Sequence, residues 1–365
     1  MHPAERSIRQ RIALEGPLTV AAVMEEALAG RNGYYRDNDP LGPEGDFITA
    51  PEISQMFGEL IGLWCVDTWQ RLGAPAEFHL VEMGPGRGTL MADALRAARV
   101  APGFLAAKQL HLVEINGVLR QKQAEKLQEH RPLWHQSLGG VPAGRMILIA
   151  NELFDALPIH QLEMTSQGWR ERVVALQDGA LQDGALQFGL AAPGPALGLL
   201  RPAHAEAVPG MIAEVSPASV ALMDAIARRV RDDNGAALII DYGPAESGLG
   251  DSFQALKNHR YHAPLEELGA ADLTAHVDFG ALKAAADEAG AQTFGPVTQG
   301  DFLRALGIEL RADMLAKKSD LATVETLRRQ VHRLIAPEQM GRLFKVIGIA
   351  GPALDTEKFG GLAGL

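Results

Sequence analysis

Residues Val81–Gly88 read VEMGPGRG. The apolar run Phe78–Leu80 leads into them, and TLMADALRAARV follows with Leu90, Met91, Ala94, Leu95 and Ala98 at helical spacing. The order is therefore strand, glycine loop, helix. Gly84, Gly86 and Gly88 are spaced GxGxG. Glycine tolerates positive φ and, lacking a Cβ, lets backbone approach a ligand closely. The helix start offers unpaired N–H groups and a positive dipole end to an anionic ligand group. The nicotinamide fingerprint GxGxxG places its third glycine one residue later. Glu82, two residues before the first glycine, suits instead a loop for S-adenosylmethionine (SAM). The competing reading is a plain tight turn between strand and helix.

A chain of 365 residues holds one large domain with insertions, or two domains. Its net charge of −11 argues against nucleic acid as the main partner, because that affinity is built from Lys and Arg. The single cysteine, Cys65 in LIGLWCVDTW, excludes an intrachain disulfide and a cysteine zinc cluster, and reads as a core residue. No apolar run reaches the roughly 18 residues of a membrane span. Arg6, Arg9 and Arg11 are followed by no apolar segment, so no signal peptide is expected.

Residues 4–29 predict one or two helices interrupted at Gly16-Pro17, with Thr19 as a cap. Gly30 to Ser54 is rich in Gly, Pro, Asp and Asn and reads as a long loop; such loops in compact domains usually serve function. It carries Tyr34, Tyr35, Asp46, Phe47, Thr49 and Glu52, which otherwise form a solvated connector. An apolar helix is expected over 53–72. Strands are expected at 78–83, 109–116, 132–138, 145–150, 236–243, 292–298 and 343–350. The spacing of the first two fits a βαβ unit. Glu114, at the end of the second, stands where an acid accepts hydrogen bonds from ribose hydroxyls, or is a solvated strand-end carboxylate. The fourth strand is a continuous apolar run that opens into NELFDALP. Ligands of open α/β sheets sit at the carboxyl ends of strands, so Asn151, Glu152 and Asp155 emerge where chemistry is expected. Asn151 and Glu152 have another reading, as caps of a following helix. Two Asp-Gly pairs at 178–179 and 183–184, within a tandem QDGAL, signal a hairpin. A helix is expected from Ser216-Pro217 to about residue 231, then a loop with Asp251, His259, Arg260 and His262. His276 and Asp278 form a candidate polar pair, with no further ligand at metal spacing. Residues 301–335 read as helical.

GDFITAPEISQMFGELIGLW (from Gly45), VEMGPGRGTLMADALR, HLVEIN, IANELFDALPIHQ (from Ile149), IIDYG, ADLTAHVDF and MGRLFKVIGIA closely resemble the MidA family over about Gly33 to Ala350. The glycine loop shows no departure from the family pattern. The resemblance implies a class I SAM-dependent methyltransferase of α/β, Rossmann-like fold. It implies a doubly wound seven-stranded sheet with its last strand antiparallel, an N-terminal helical cap with an active-site loop over 1–75, and a methyltransferase domain over 76–352. Insertions fall at about 161–235 and 299–340. It further implies methyl transfer to a protein substrate, an arginine in a respiratory complex I subunit during assembly. The compartment implied is the bacterial cytoplasm, or the mitochondrial matrix for a processed eukaryotic protein. The oligomeric state stays open, a homodimer being one option.

These readings name the candidate residues. Glu82, Gly84, Gly86, Gly88, Glu114 and Asn151 would hold SAM. Glu152 matches the acidic position that arginine methyltransferases use after strand four, where carboxylates grip the guanidinium. Asp155 or Glu163 would be the second acid. Tyr35, Asp46, Glu52 and His276 would contact the substrate. The rival functions are a non-catalytic chaperone that binds SAM only structurally, and a nicotinamide-dependent oxidoreductase.

Overall fold

The computed structural model describes residues 1–37, 39, 42, 48–177, 184–352, 354 and 360–362; Asp46 and the two Asp-Gly pairs expected to mark a hairpin lie outside these, apart from Gly184. The chain divides into two compact units, each assembled from separate segments. Residues 1–75 are shared between them. Met1–Phe47 joins the smaller unit, whereas Ile48 onward joins the larger one.

The larger unit is built on one sheet of seven strands. These are β1 (Phe78–Met83), β2 (Lys108–Val113), β3 (Leu133–His135), β4 (Met146–Asn151), β5 (Ala236–Tyr242), β6 (Gln292–Thr298) and β7 (Phe344–Ala350). Their order across the sheet is β6-β7-β5-β4-β1-β2-β3. β1 to β5 pair in parallel, and β7 runs antiparallel to both β5 and β6, as the resemblance implied. Every residue of β4 is buried, because a central parallel strand is covered on both faces.

Helix α1 (Gln55–Arg71) packs on α2 (Thr89–Ala97), which follows the glycine loop. Their contact depends on Gly62, where a Cβ would lie 2.4 Å from the Ala94 carbonyl oxygen. The winding reverses between β1 and β4, so the carboxyl ends of these neighbours flank the crevice where open α/β sheets bind ligands. The glycine loop leaves β1 there, and Asn151 ends β4.

The smaller unit contains the helices Pro3–Glu15 and Val20–Leu28, the second capped by the Thr19 hydroxyl accepting from the Ala22 amide at 3.1 Å. Strands His160–Thr165, Gly168–Leu176, Leu186–Ala191 and Ile212–Val215 form an antiparallel sheet with Leu18–Thr19. A second, three-stranded sheet joins Gln254–Lys257, Arg260–His262 and Asp272–Thr274. Ile8, Ile12, Val23, Met24 and Leu28 pack with Ile159, Val174, Phe253 and Leu273 as its core. The stretch expected as helical over 301–335 is three helices, Gln299–Ala305, Ile308–Ala316 and Leu321–Ile335, and belongs to the larger unit. The loop expected over 30–54 carries two short helices, Tyr34–Asp37 and Ala50–Ile53, one in each unit.

Candidate cofactor and acceptor site

The glycine loop adopts the backbone that its composition anticipates. Gly84, Gly86 and Gly88 have φ of 64°, 53° and 73°, the left-handed region that disfavours a side chain. The Gly84 amide donates to the Val113 carbonyl at 3.0 Å, tying the loop to β2. A Cβ on Gly84 would stand 3.0 Å from Leu153 Cδ1, the residue two past the end of β4.

Glu82 points into the interior from β1 and is 2% exposed. Burial, with the Glu114 carboxylate nearby, pushes its pKa up to about 8. Its Oε2 and the Asn151 Oδ1 are buried and accept no hydrogen bond among the described residues. Such acceptors are costly unless something donates to them.

Strand β2 ends at Val113, so Glu114 lies just beyond it, not within it. The chain turns here because Asn116 caps helix α3 (Gly117–Leu127), its Oδ1 accepting from the Val118 and Leu119 amides. Glu114 Oε1 accepts from the Asn116 amide at 2.9 Å and Oε2 from Gln123 Nε2 at 3.3 Å. Burial raises its pKa against these hydrogen bonds. Gln123 was not singled out by sequence. It donates also to the Gly86 carbonyl at 2.7 Å and accepts from Trp134 Nε1 at 2.8 Å, so one α3 side chain joins the glycine loop, the acid and β3. No local pattern marks it, because all three partners are distant in sequence.

After β4 the structure excludes the alternative reading of Asn151 and Glu152 as caps of a following helix. No helix follows for Asn151 or Glu152 to cap; residues 152–158 form turns. Glu152 has φ of 51°, uncommon for a residue with a side chain. It is held there because its amide donates to the Ile240 carbonyl at 2.9 Å and the Leu153 amide donates to Asp241 Oδ2 at 3.1 Å. Glu152 Oε1 accepts from Asn151 Nδ2 at 3.1 Å and from the Ala50 amide at 2.9 Å. The acid therefore caps the helix Ala50–Ile53, from the far side of the sequence. Glu52 in that same helix accepts from the Thr89 hydroxyl at 2.6 Å, and Thr89 accepts from Lys126 at 2.6 Å. Thus Ala50–Ile53 contacts both the residue after the glycine loop and the residue after β4.

The other candidates lie in the smaller unit. The buried Tyr35 hydroxyl donates to Asp272 Oδ1 at 2.7 Å. Burial and the negative charges of Asp272 and Asp155 hold its pKa well above the ordinary tyrosine range. Asp155 is buried, and its carbonyl accepts from the Ala275 amide at 3.0 Å. His276 donates its amide to the Ser252 hydroxyl at 2.8 Å. Asp278 Oδ1 accepts from Ser247 and the Ala281 amide. Glu163 sits in the antiparallel sheet opposite Arg170. Among the described residues, no group of three His, Cys, Asp or Glu side chains could hold a metal, and no helix is long and apolar enough to cross a membrane.

SAM carries an ammonium group, ribose hydroxyls and an adenine amine, all donors. The buried acceptors Glu82 Oε2 and Asn151 Oδ1, with the three positive-φ glycines of the loop that follows β1, fit that chemistry.

The comparisons agree. A family model described as "Putative S-adenosyl-L-methionine-dependent methyltransferase" matches residues 60–297. Mitochondrial protein arginine methyltransferase NDUFAF7 of Xenopus laevis is 38% identical over 368 residues, covering 93% of this chain and 82% of that protein. The Homo sapiens protein of the same name is 36% identical, over 95% of this chain and 83% of its own length. A solved structure from Burkholderia thailandensis, bound to S-adenosyl-homocysteine, superposes with a TM-score of 0.81 at 28% identity, over 96% of this chain and 92% of that one. With the motifs, the strand order and these likenesses together, the chain belongs to the MidA-like family of SAM-dependent methyltransferases.

Proposed function

We propose that the protein transfers a methyl group from SAM to an arginine side chain of a protein, in a respiratory complex I subunit during its assembly. The observation that carries the acceptor is the likeness, over more than nine-tenths of this chain, to proteins named as arginine methyltransferases. Glu82, Glu114 and Asn151, with the glycine loop, would hold the cofactor. SAM supplies a methyl group already activated by its sulfonium, so the protein has to align an acceptor lone pair with the C–S bond.

Glu152 is the residue proposed for that alignment. Arginine stays protonated in proteins and is a poor nucleophile. A carboxylate fixed in one orientation can grip the guanidinium, hold its charge on one side and present the remaining nitrogen. The Ala50 amide and Asn151 Nδ2 fix Glu152 in this way by donating to its Oε1. Asp155 is proposed as the second acid. Glu52, in the helix Ala50–Ile53, is proposed with Tyr35 and His276 to contact the substrate polypeptide. The compartment proposed is the one where complex I subunits assemble, bacterial cytoplasm or mitochondrial matrix.

The test is mass spectrometry of complex I subunits from a strain lacking this protein. The expected result is the loss of about 14 or 28 Da, one or two methyl groups, on one arginine. Unchanged arginine methylation across those subunits would overturn the proposed target.

A further inference from the structure

The hairpin Gln254–Lys257 and Arg260–His262 has features that the methyltransfer site does not use. Lys257 and Arg260 are register partners, directly opposite each other across the strands. Like charges so placed destabilise a hairpin. The two-residue turn between them is Asn258-His259, with φ of 50° and 60°. That is the I′ pattern of a tight hairpin, which glycine fills at lower cost than histidine. Tyr261 follows, 80% exposed. Lys257, Asn258, Arg260, Tyr261 and His262 line an open cavity of about 430 Å³. Glu267 offsets part of the charge, pairing with Lys257 at 2.6 Å and with His262 at 3.4 Å. Arg260 is exposed and carries no ion pair among the described residues.

We infer that this hairpin tip binds an acidic segment of a partner polypeptide, the protein substrate in the reading above. A chain of net charge −11 repels acidic partners over most of its surface, so a local cationic tip selects where they approach. An exposed tyrosine beside an unpaired arginine is the composition that anchors protein interfaces. The turn holds both side chains on a short, fixed scaffold, so little ordering accompanies binding. Nucleic acid is the poorer fit, because it is bound by a long track of cations and this tip carries two.

The experiment is fluorescence anisotropy of a fluorescein-labelled hexaglutamate peptide with the full chain. Saturable binding that weakens with added salt is expected. Arg260→Glu should weaken it about tenfold or more and Tyr261→Ala should weaken it less, while Arg11→Glu, in the helix Pro3–Glu15 and no part of the hairpin, should leave it unchanged. S-adenosyl-homocysteine affinity, the same in all variants, shows that each is folded. The inference is overturned by absence of saturable binding, by equal affinity in Arg260→Glu and Arg11→Glu, or by tighter binding of a single-stranded oligonucleotide of the same charge. No methyl transfer enters this measurement, so it stands or falls apart from the arginine reading.

Discussion

Glu82 is an acid placed where water does not reach it. Its folded pKa of about 8 lies above that of the unfolded chain, because burial and the Glu114 charge disfavour its ionised form. Between the ordinary carboxylate range and about 8, the folded protein therefore holds a proton that the unfolded chain has lost. Stability from this group is fully present at low pH and is lost as pH rises through that window. In Glu82→Gln the loss should disappear. The stability of wild type minus that of the variant should fall by up to about 1.4 kcal/mol per pH unit between about pH 5 and pH 8. Urea midpoints measured across that range check it, and parallel curves would remove Glu82 as the source. Glu152 is held in place by donors, the Ala50 amide and Asn151 Nδ2. Glu152→Gln should leave SAM affinity nearly unchanged and lower kcat by roughly a hundredfold or more, as loss of a contact made to developing charge does. Full turnover in that variant would move the acceptor grip to other residues.

At the scale of elements, the first three strands are crossed by a chain of histidines. His79 on β1 contacts the Ala143 carbonyl through Nε2 at 3.3 Å and His111 through Nδ1 at 2.9 Å; His111 on β2 reaches His135 on β3 at 2.9 Å. A carbonyl only accepts, so His79 donates from Nε2, its Nδ1 accepts from His111 Nε2, and His111 Nδ1 accepts from His135 Nε2. Burial, then the neighbouring His79, His135 and Arg229, pushes the His111 pKa down to about 4. The unfolded chain thus binds a proton, near pH 6.5, that the folded chain refuses until about pH 4. Stability falls as pH drops through that interval, by up to about 3 kcal/mol from this residue. His111→Gln keeps a donor and an acceptor, does not titrate, and should flatten that acid limb in denaturant titrations; an unaltered limb would place its origin elsewhere. None of this chain was legible in the sequence, since each histidine looks like one polar residue in an apolar strand until register aligns them. The same reason hid Gln123. The strands and the glycine loop were legible because they are local: apolar runs, a glycine spacing and a helical period within residues 78–98. The turn after β4 decides against the alternative reading of Asn151 as a helix cap, because the Ile240 carbonyl and Asp241 on β5 dictate a turn that no strand-local signal in the sequence marks.

For the whole molecule, cofactor binding should appear as stability. The proposed ligand residues Glu82, Gly84, Gly86, Gly88, Glu114 and Asn151 belong to the larger unit, and they come from three strand ends and one loop. A ligand held by all of them binds the folded state and not the unfolded chain. At about a hundred times its dissociation constant, it adds about 2.7 kcal/mol to folding. S-adenosyl-homocysteine should therefore raise the melting temperature by several degrees and slow hydrogen exchange in β1, β2 and β4. NAD should do neither, since the third glycine stands one residue too early for that fingerprint. Two variants separate loop shape from hydrogen bonding. Gly86→Val places a branched side chain at φ of 53°, straining the loop, and should abolish the shift. Glu114→Ala removes a charged acceptor, each bond being worth about 1.5–3 kcal/mol, and should reduce the shift while the apo protein still melts cooperatively. Stabilisation by NAD with none by S-adenosyl-homocysteine would overturn the assignment of these residues, because a loop and an acid placed for one dinucleotide would then have been taken for the cradle of another ligand.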